Sequence, residues 1–444
     1  MAHIQGSKSA RSISEAEAAE LVKSDMWLDY GFGMSQPDVF DQALAARKDA
    51  LHGVKIRSTF TFRPRAVLEA DETGKHFQWL SWHFSGYDRN LHDAGRCTYI
   101  PMNFGEAPGY YRRFIEPVDI AIIKACPKDE NGIFNFSCIG TYQRAMLERA
   151  RVVIIETSDA LPYVHGHENG IHESQVDYVI EGDGAPMPVF ANTPVAEDDI
   201  KIASSIAAEI KEGACLQIGI GGIPNAVCSM LKQAGLRDLG IHTEFFVDGI
   251  VELYEAGLIT GARKHLDKGK IVFTFAAGSQ HLYDTIDHNP NVECRAVDYT
   301  NLPHNIMQND DVVSINSTTQ MDLQGQAVSE TAGHRHLTGT GGQLEFARGA
   351  YASRGGKSFI CLPSTYTKDG QRQSRIVAGL APGNIVTTPR TDIMFVVTEY
   401  GMVNLKAKSV AARAKALISI AHPDFREGLE CDAREKNIIP KTYY

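Results

Sequence analysis

A glutamate among apolar neighbours is the residue of this sequence best suited to nucleophilic chemistry. Glu244 lies in the segment GIHTEFFVDGIVEL, beside Phe245 and Phe246 and just before an amphipathic helix predicted to begin near Val247 or Asp248. Apolar neighbours partly desolvate a carboxylate, which raises both its pKa and its nucleophilicity. The alternative is a glutamate that only stabilises the positive end of the helix dipole. From this segment alone, both interpretations stay open.

Two further glutamates occur in similar local settings. Glu399 follows the apolar strand-like run of VVTEYGM, as Glu244 follows its own run. Glu130 precedes an Asn-Gly pair in PKDENGIFNFS, and Asn-Gly is typical of a turn after a strand. In the sequence, both residues are therefore look-alikes of Glu244.

A glycine-rich loop follows a predicted strand near the middle of the chain. It contains Gly219, Ile220, Gly221, Gly222 and Ile223, and a predicted helix begins within it. Glycines in this position let backbone N–H groups approach an anion or a carbonyl oxygen, and the amino end of the helix adds partial positive charge. A structural turn explains the loop equally well. A dinucleotide site also stays open, because acidic residues follow about 20 positions later.

A second glycine-rich segment has positive charge beside it. Gly339, Gly341 and Gly342 lie in HLTGTGGQLEFARGAYASRGGKS, which also contains three cations: Arg348, Arg354 and Lys357. Glycines and cations together are suited to a phosphate-bearing cofactor. A solvated loop with scattered cations is the alternative.

Other common catalytic patterns are missing from the sequence. His165, His167 and His172 lie close together in YVHGHENGIHE, but no familiar set of metal ligands is completed there, so we expect a surface loop and no metal. The GxSxG pattern of a serine nucleophile does not occur. The eight cysteines are scattered without a CxxC pair, which predicts reduced thiols in a cytoplasmic enzyme.

Composition narrows the class of protein. The chain has 444 residues, of which 43% are hydrophobic and 22% charged, and it contains no apolar run of the roughly 18 residues that would span a bilayer. We therefore expect a water-soluble protein without a membrane partner. A net charge of −10 argues against nucleic acid as a partner, because duplex binding requires a basic face. A homo-oligomer is the default expectation for such an enzyme.

The elements that must position these residues alternate between strands and helices. Short apolar segments rich in β-branched residues predict buried strands: VDIAIIKAC, RVVIIET, KIVFTFAA, VVSINS, KSFICLP and DIMFVVTEYG. Segments such as TYQRAMLERA and SVAARAKALISIA predict helices between them. This alternation predicts an α/β fold with mostly parallel sheets, whose ligands bind at the carboxyl ends of the strands.

A weak internal repeat indicates two similar domains. Residues 14–40 and 196–230 each begin with an acidic helix start, continue into an apolar strand and end in Gly-X-Gly. We therefore predict two open α/β domains, residues 1–190 and 191–444, with a boundary in the Pro- and acid-rich residues 186–199.

Five long motifs, taken together, resemble the acetyl-CoA hydrolase/transferase family of class I CoA-transferases. They are GIGGIPNAV, GIHTEFFVDGIVEL, SINSTTQMDLQGQAVSE, GTGGQLEFARGAYASRGGKS and VTEYGMVNLKAKS followed by ALISIAHPDFRE. The similarity is dense over residues 200–430 and weaker over the first half, and it is greatest to the 4-hydroxybutyrate and butyryl-CoA:acetate CoA-transferases.

The resemblance implies an enzyme that moves CoA from a short-chain acyl-CoA, such as butyryl-CoA, to acetate or another carboxylate through a glutamyl-CoA thioester. It implies an active site between the two domains, with Glu244 as the nucleophile and no metal. Asn316 would be the oxyanion-hole side chain, partnered by an N–H group of the Gly341–Gly342 turn. The residues implied to bind CoA belong to the second domain: Gly219, Ile220, Gly221, Gly222, Ile223, Gly339, Gly341, Gly342 and Lys357.

Three other functions are weighed against this one. An acyl-CoA hydrolase would use the same glutamate with water in place of the acceptor acid. A non-catalytic CoA-binding protein would use the same fold without the nucleophile, and a nicotinamide-dependent dehydrogenase would use only the first glycine loop. The aromatic-rich residues 60–108 are a candidate for acyl specificity.

Overall fold

The computed structural model describes residues 9–116, 118–191 and 193–443. It divides into two units, the first formed by residues 1–190 and 273–300 and the second by residues 191–272 and 301–444. Across the described ranges, no helix is long and apolar enough to cross a membrane. All eight cysteines are free thiols, and Cys431 alone among them is exposed.

In the first unit, the described residues before residue 190 form ten strands. They are β1 (Arg11–Ser12), β2 (Trp27–Phe32), β3 (Val54–Thr59), β4 (Phe77–Ser81), β5 (Cys97–Tyr99), β6 (Val118–Ala125), β7 (Ile133–Asn135), β8 (Ala150–Thr157), β9 (Gly170–His172) and β10 (Tyr178–Glu181). Its helices are α1 (Glu15–Glu20), α2 (Val39–Ala45), α3 (Ala66–Ala70), α4 (Gly86–Asp93), α5 (Ala107–Arg113) and α6 (Gln143–Arg149).

One parallel sheet organises this unit. Its strand order is β1-β10-β8-β6-β2-β3-β4-β5, and each neighbouring pair runs parallel. The central strands are apolar and rich in β-branched residues, as expected for a sheet covered on both faces. Ser14 and Glu17 form a capping box at the start of α1.

The chain then continues through the elements of residues 191–300. They are α7 (Glu197–Ala207), β11 (Cys215–Ile218), α8 (Gly222–Ala234), β12 (Gly240–His242), β13 (Phe245–Phe246), α9 (Asp248–Glu255), β14 (Ile271–Phe273), β15 (Phe275–Ala276), α10 (Gln280–Ile286), β16 (Val292–Cys294) and α11 (Val297–Asn301). The helix predicted to begin near Val247 or Asp248 is α9, which confirms that prediction.

The remaining elements complete the second unit. They are α12 (Pro303–Ile306), β17 (Val312–Ser317), β18 (Gln320–Asp322), β19 (Ala327–Val328), β20 (Thr331–Ala332), β21 (Arg335–His336), α13 (Gln343–Ala352), β22 (Lys357–Cys361), β23 (Thr365–Lys368), β24 (Gln371–Ser374), β25 (Ile376–Val377), β26 (Phe395–Thr398), β27 (Gly401–Asn404), α14 (Val410–Ser419) and α15 (Pro423–Glu435).

The sheet of the second unit runs in the order β14-β12-β11-β17-β22-β26-β27. All neighbouring pairs are parallel except the last, a tight antiparallel hairpin between Thr398 and Gly401. The predicted α/β fold with mostly parallel sheets is therefore confirmed. The predicted strands are all present, although KIVFTFAA is divided into two strands and the strand within DIMFVVTEYG covers only Phe395–Thr398.

Residues 273–300 belong to the first unit. The prediction of a single boundary at residue 190 places them in the second domain instead. The Gly140 N–H donates to the Thr274 carbonyl at 2.9 Å, and the Tyr283 hydroxyl donates to the Pro188 carbonyl at 2.8 Å. The ring of Phe275 lies 4.6 Å from the ring of Phe32, centroid to centroid. Apolar and aromatic burial therefore accounts for the return of this segment.

A buried ion pair links β2 to β3 in the first unit. Arg57 Nη2 donates to Asp29 Oδ2 at 2.8 Å, and the Tyr111 hydroxyl donates to Asp29 Oδ1 at 2.6 Å. Asp29 is 1% and Arg57 7% exposed. Burial raises the pKa of Asp29, while Arg57 and Tyr111 act against this rise. Either ion alone would be strongly destabilising at this depth.

We predict that Arg57→Met lowers the free energy of unfolding by about 3–5 kcal/mol, because it leaves Asp29 buried without its cation. The double variant Asp29→Asn/Arg57→Met removes both charges and should lose clearly less. Urea unfolding followed by circular dichroism measures both. Equal losses in the single and double variants would show that the charge pair does not account for the effect.

Candidate functional site

Three strand ends lie side by side at the carboxyl edge of the second unit's sheet. Leu216 of β11 pairs in register with both β12 and β17. In this register, Leu216 lies beside Ile241 of β12 and Val313 of β17. Counting three residues onward from each gives Gly219, Glu244 and Asn316, which lie at the same level along the strand direction. Neighbouring strands are about 4.8 Å apart, so this level places a glycine loop between a carboxylate and an amide. Ligands bind at this edge in open α/β sheets.

The Glu244 carboxylate is half-buried and held by hydrogen bonds. Asn301 Nδ2 donates to Glu244 Oε2 at 2.6 Å, and the Gly342 backbone N–H also donates to the carboxylate. Burial raises the pKa of Glu244 to about 7, although both hydrogen bonds act to lower it. Near neutral pH, the ionised form is therefore accessible and poorly solvated, as a carboxylate nucleophile requires.

Close packing at Gly342 fixes this arrangement. A Cβ atom at that position would lie 2.3 Å from both Glu244 Oε2 and Asn301 Nδ2, so no side chain fits. Gly341 has a φ of +60°, in the left-handed region that glycine adopts readily. Because α13 begins at Gln343, the amino end of a helix lies beside the carboxylate and favours its negative form.

Asn301 contacts the candidate nucleophile, and the sequence did not reveal it. It is the last residue of α11, in the segment VDYTN, and no motif distinguishes it from an ordinary helix-end asparagine. It lies 57 residues from Glu244 along the chain. Only the contact between the two side chains identifies it.

Asn316 lies on the same sheet edge with its amide already engaged. Its Nδ2 donates to Gln217 Oε1 at 3.0 Å and to Ser314 Oγ at 3.2 Å. Gln217 and Ser314 are both buried, so they hold the amide in one orientation. The predicted oxyanion role of Asn316 stays a prediction, and the side-chain amide that contacts Glu244 is that of Asn301.

The first glycine loop turns sharply into α8. Gly221 has a φ of +118°, and a Cβ atom at Gly222 would lie 2.1 Å from Asp199 Oδ2. The amino end of α8 therefore already has a carboxylate beside it, which disfavours a phosphate there. Ile220 is 55% exposed, whereas Ile223 is buried. Only part of this loop is thus available to a ligand, and its predicted contact with CoA stays a prediction.

The cations near the second glycine loop are paired with carboxylates. Arg348 Nε donates to Asp392 Oδ1 at 2.8 Å, and Arg354 Nε donates to Asp310 Oδ2 at 3.1 Å. The positive charge that the sequence offers for a phosphate is therefore largely neutralised by the protein itself.

Lys357 lies at the opposite edge of the sheet from Glu244. It pairs with Val313 at the amino end of β22, about 10 Å before the level of Asn316. Its ammonium group forms an ion pair with Glu209. Lys357 is the first residue of β22, whereas Glu244 and the glycine loops lie at the carboxyl ends of the strands. The structure therefore does not bring Lys357 together with them.

The two look-alike glutamates have different settings. Glu399 Oε2 accepts the Ser364 N–H at 2.8 Å, and the Ser364 hydroxyl also donates to Glu399, which fixes the turn after β22. Glu130 is exposed in a turn where Asp129 Oδ1 accepts the Asn131 N–H at 2.9 Å. Among the residues that the structure describes, no group of three or more His, Cys, Asp or Glu is arranged for a metal ion.

Comparison with known proteins gives one consistent result. Family models of the acetyl-CoA hydrolase/transferase N-terminal domain and C-terminal domain match residues 7–191 and 278–433. A probable butyrate:acetyl-CoA coenzyme A-transferase of Syntrophomonas wolfei is 45% identical over 98% of this chain and 97% of its own length. The butyryl-CoA:acetate CoA-transferase of Anaerostipes caccae is 44% identical over 95% of each chain.

Solved structures agree with the sequence relatives. RipA from Yersinia pestis has a TM-score of 0.87 at 36% identity, covering 97% of this chain and 98% of that one. A 4-hydroxybutyrate CoA-transferase from Porphyromonas gingivalis has a TM-score of 0.79 at 35% identity, covering 96% of this chain and 98% of that one. A hydrolase is more distant: the acetyl-CoA hydrolase of Candida albicans is 28% identical over 54% of this chain and 46% of its own length.

The raised pKa of Glu244 gives a stability prediction with a definite sign. The pKa of Glu244 is about 7 in the folded protein, compared with its usual value of 4.5 in the unfolded chain. Between these two pH values the folded protein binds the proton more tightly, so the free energy of unfolding falls as the pH rises through this window. Glu244→Gln cannot ionise. We expect it to be more stable than the parent at pH 8 by about 1–3 kcal/mol, with the gain disappearing toward pH 4.5.

Denaturant unfolding across this pH range measures the difference. Glu399→Gln is the matched control, and it should be less stable than the parent at pH 8 because Ser364 loses one of its two acceptor oxygens. A Glu244→Gln variant that is destabilised at pH 8, or equally stabilised at every pH, would contradict the assignment.

Proposed function

The chain belongs to the acetyl-CoA hydrolase/transferase family, and we propose that it moves CoA from butyryl-CoA or a similar short-chain acyl-CoA to acetate or another carboxylate, with Glu244 as the covalent nucleophile. It is an acyl-CoA:carboxylate CoA-transferase, and CoA enters as part of its substrate. The names of the relatives that match it over nearly their whole length support the choice of butyrate and acetate.

The hydrogen bond from Asn301 to one oxygen of Glu244, with Gly342 close to the same oxygen, is the observation that most directly supports this chemistry. Asn301 donates to Oε2, and the close approach of Gly342 is to the same oxygen. Oε1 is thereby left as the attacking atom. Once Oε1 is acylated, Oε2 is the carbonyl oxygen on which negative charge develops when a thiolate attacks. Donors already in place there stabilise that charge without reorganisation, at about 3 kcal/mol for each donor.

The proposed reaction balances without ATP, because each side contains one thioester and one carboxylate. Glu244 Oε1 attacks the thioester carbon of the acyl-CoA, the carbon–sulfur bond breaks, and CoA leaves as a thiolate, so that the acyl group remains on Glu244 as an acyl-glutamyl anhydride. The thiolate then attacks the glutamyl carbon, and the carbon–oxygen bond to the acyl group breaks. A free acid and a glutamyl-CoA thioester result, and the acceptor acid reverses the sequence.

Asn316 is proposed as a donor to the carbonyl oxygen of the bound acyl group. Its amide hydrogens are both engaged, by Gln217 and Ser314, so one of them must be released for the substrate. The weaker contact, with the Ser314 hydroxyl, is the one we expect to exchange. The Ser314 hydroxyl then loses one accepted hydrogen bond but keeps its own O–H as a donor.

The two glycine loops are proposed to contact CoA through backbone N–H groups. Ile220 would supply apolar contact, since its side chain is exposed beside the loop. A direct contact from Lys357 is not part of the proposal, because its ion pair with Glu209 lies at the far edge of the sheet. Binding energy from the distant parts of CoA would offset the cost of orienting and desolvating the thioester.

We predict a covalent CoA adduct on Glu244. Intact mass measured after incubation with butyryl-CoA should show it, and borohydride should reduce the glutamyl thioester to an alcohol that peptide mapping locates at Glu244. Glu244→Gln should form no adduct and lose at least ~10³-fold in turnover. Glu130→Gln, at an exposed turn, should behave as the parent. A parent protein with no adduct under turnover would overturn the covalent mechanism.

A second prediction separates transfer from hydrolysis. Consumption of butyryl-CoA should rise and saturate with added acetate, acetyl-CoA should appear in equal amount, and double-reciprocal plots at several acetate concentrations should be parallel. Free thiol should accumulate only slowly. Thiol release at a rate independent of acetate would instead identify a hydrolase that uses the same glutamate.

A further inference from the structure

A second buried glutamate contacts the amide that holds Glu244. Glu345 lies in the first turn of α13 and is 5% exposed. Asn301 Nδ2 lies 2.6 Å from Glu244 Oε2 and 3.4 Å from Glu345 Oε2. A side-chain amide nitrogen carries two hydrogens, so one can be directed to each carboxylate. Asn301 therefore connects the two glutamates.

These contacts decide which end of the Asn301 amide faces Glu244. The oxygen and nitrogen of an amide group have nearly the same size, so shape alone does not select between them. If the amide were reversed, its oxygen would face two carboxylate oxygens and no hydrogen bond would form. The Asn301 nitrogen also lies beside Gly342, where a Cβ atom would approach it to 2.3 Å.

Of the two glutamates, only Glu345 is chemically unchanged through the proposed reaction. Glu244 becomes neutral whenever it is acylated or joined to CoA, and its attraction for the Asn301 N–H then weakens. Glu345 is fixed on a helix and takes no part in bond formation. It therefore remains an acceptor for Asn301 at the stages when Glu244 is a weaker one.

We propose that Glu345 is a positioning residue, which acts through Asn301 to keep an N–H donor on Glu244 throughout the reaction cycle. This role rests on the proposed covalent function of Glu244. It goes beyond a general stabilising effect of an acidic residue at the start of α13, which any carboxylate in the first helical turn would supply.

Two variants at one position separate these roles. Glu345→Gln and Glu345→Met both remove the charge and have a similar size, so both lose the favourable interaction with the helix dipole. Gln keeps an oxygen that can accept the Asn301 N–H, whereas Met does not. We expect Glu345→Met to have a kcat about tenfold below that of Glu345→Gln, as for the loss of one hydrogen bond, with similar KM values for butyryl-CoA.

The resting protein supplies a readout that does not depend on turnover. Carbodiimide labelling of Glu244 as a function of pH, followed by peptide mapping, gives its titration midpoint. The Asn301 hydrogen bond lowers the pKa of Glu244, so its loss in Glu345→Met should raise the midpoint above that of Glu345→Gln. A direct charge effect of Glu345 would shift both variants equally, and downward from the parent.

The same pair is then compared in an Asn301→Ala background, where both differences should disappear. The proposal is overturned if Gln and Met at position 345 give the same midpoint and kcat, or if their difference persists without Asn301. If the midpoints behave as expected but the parent forms no covalent adduct, the positioning contact stands and the covalent function fails. Thermal melting of all variants checks that they are folded.

Discussion

Everything at the candidate site depends on keeping a carboxylate out of water without making it inert. Desolvation alone would protonate Glu244 at neutral pH, whereas many strong hydrogen bonds would hold it as a stable and unreactive anion. Two N–H donors, from Asn301 and the Gly342 backbone, together with burial lead to a pKa of about 7. The carboxylate is then partly ionised at neutral pH, and the proposed mechanism uses its Oε1 for bond formation.

This balance imposes strict demands on the backbone. The Gly342 N–H reaches Glu244 only because position 342 has no side chain, and α13 can begin there only because Gly341 adopts a left-handed conformation. On the other side, the register of β11 with β12 and β17 places Glu244 level with the first glycine loop. The parallel sheet is therefore the frame that brings a loop, a helix start and a strand end to one point.

The sequence predicts the parts of this arrangement that are local. Alternating apolar strands and helices identify the α/β fold, and apolar neighbours single out Glu244 as a candidate. Contacts between distant segments are not predicted. Asn301 lies 57 residues from Glu244 in the chain and has no distinguishing motif. The cations of residues 348–357 appear free in the sequence because their carboxylate partners lie 44 and 148 residues away.

Pairing of those cations limits how this acidic chain can bind an anionic substrate. In a chain with a net charge of −10, a free cationic patch would be the simplest way to attract a phosphate-bearing molecule. However, Arg348, Arg354 and Lys357 each face a carboxylate. Backbone N–H groups avoid this difficulty, because they carry no side-chain charge that an acid of the same chain would neutralise. They also hold a carbonyl or oxyanion at a defined distance, whereas a flexible lysine does not. In the proposed transfer, the same glutamyl oxygen must be bound as part of a carboxylate, an anhydride, a thioester and the tetrahedral intermediates between them, and fixed neutral donors suit every state.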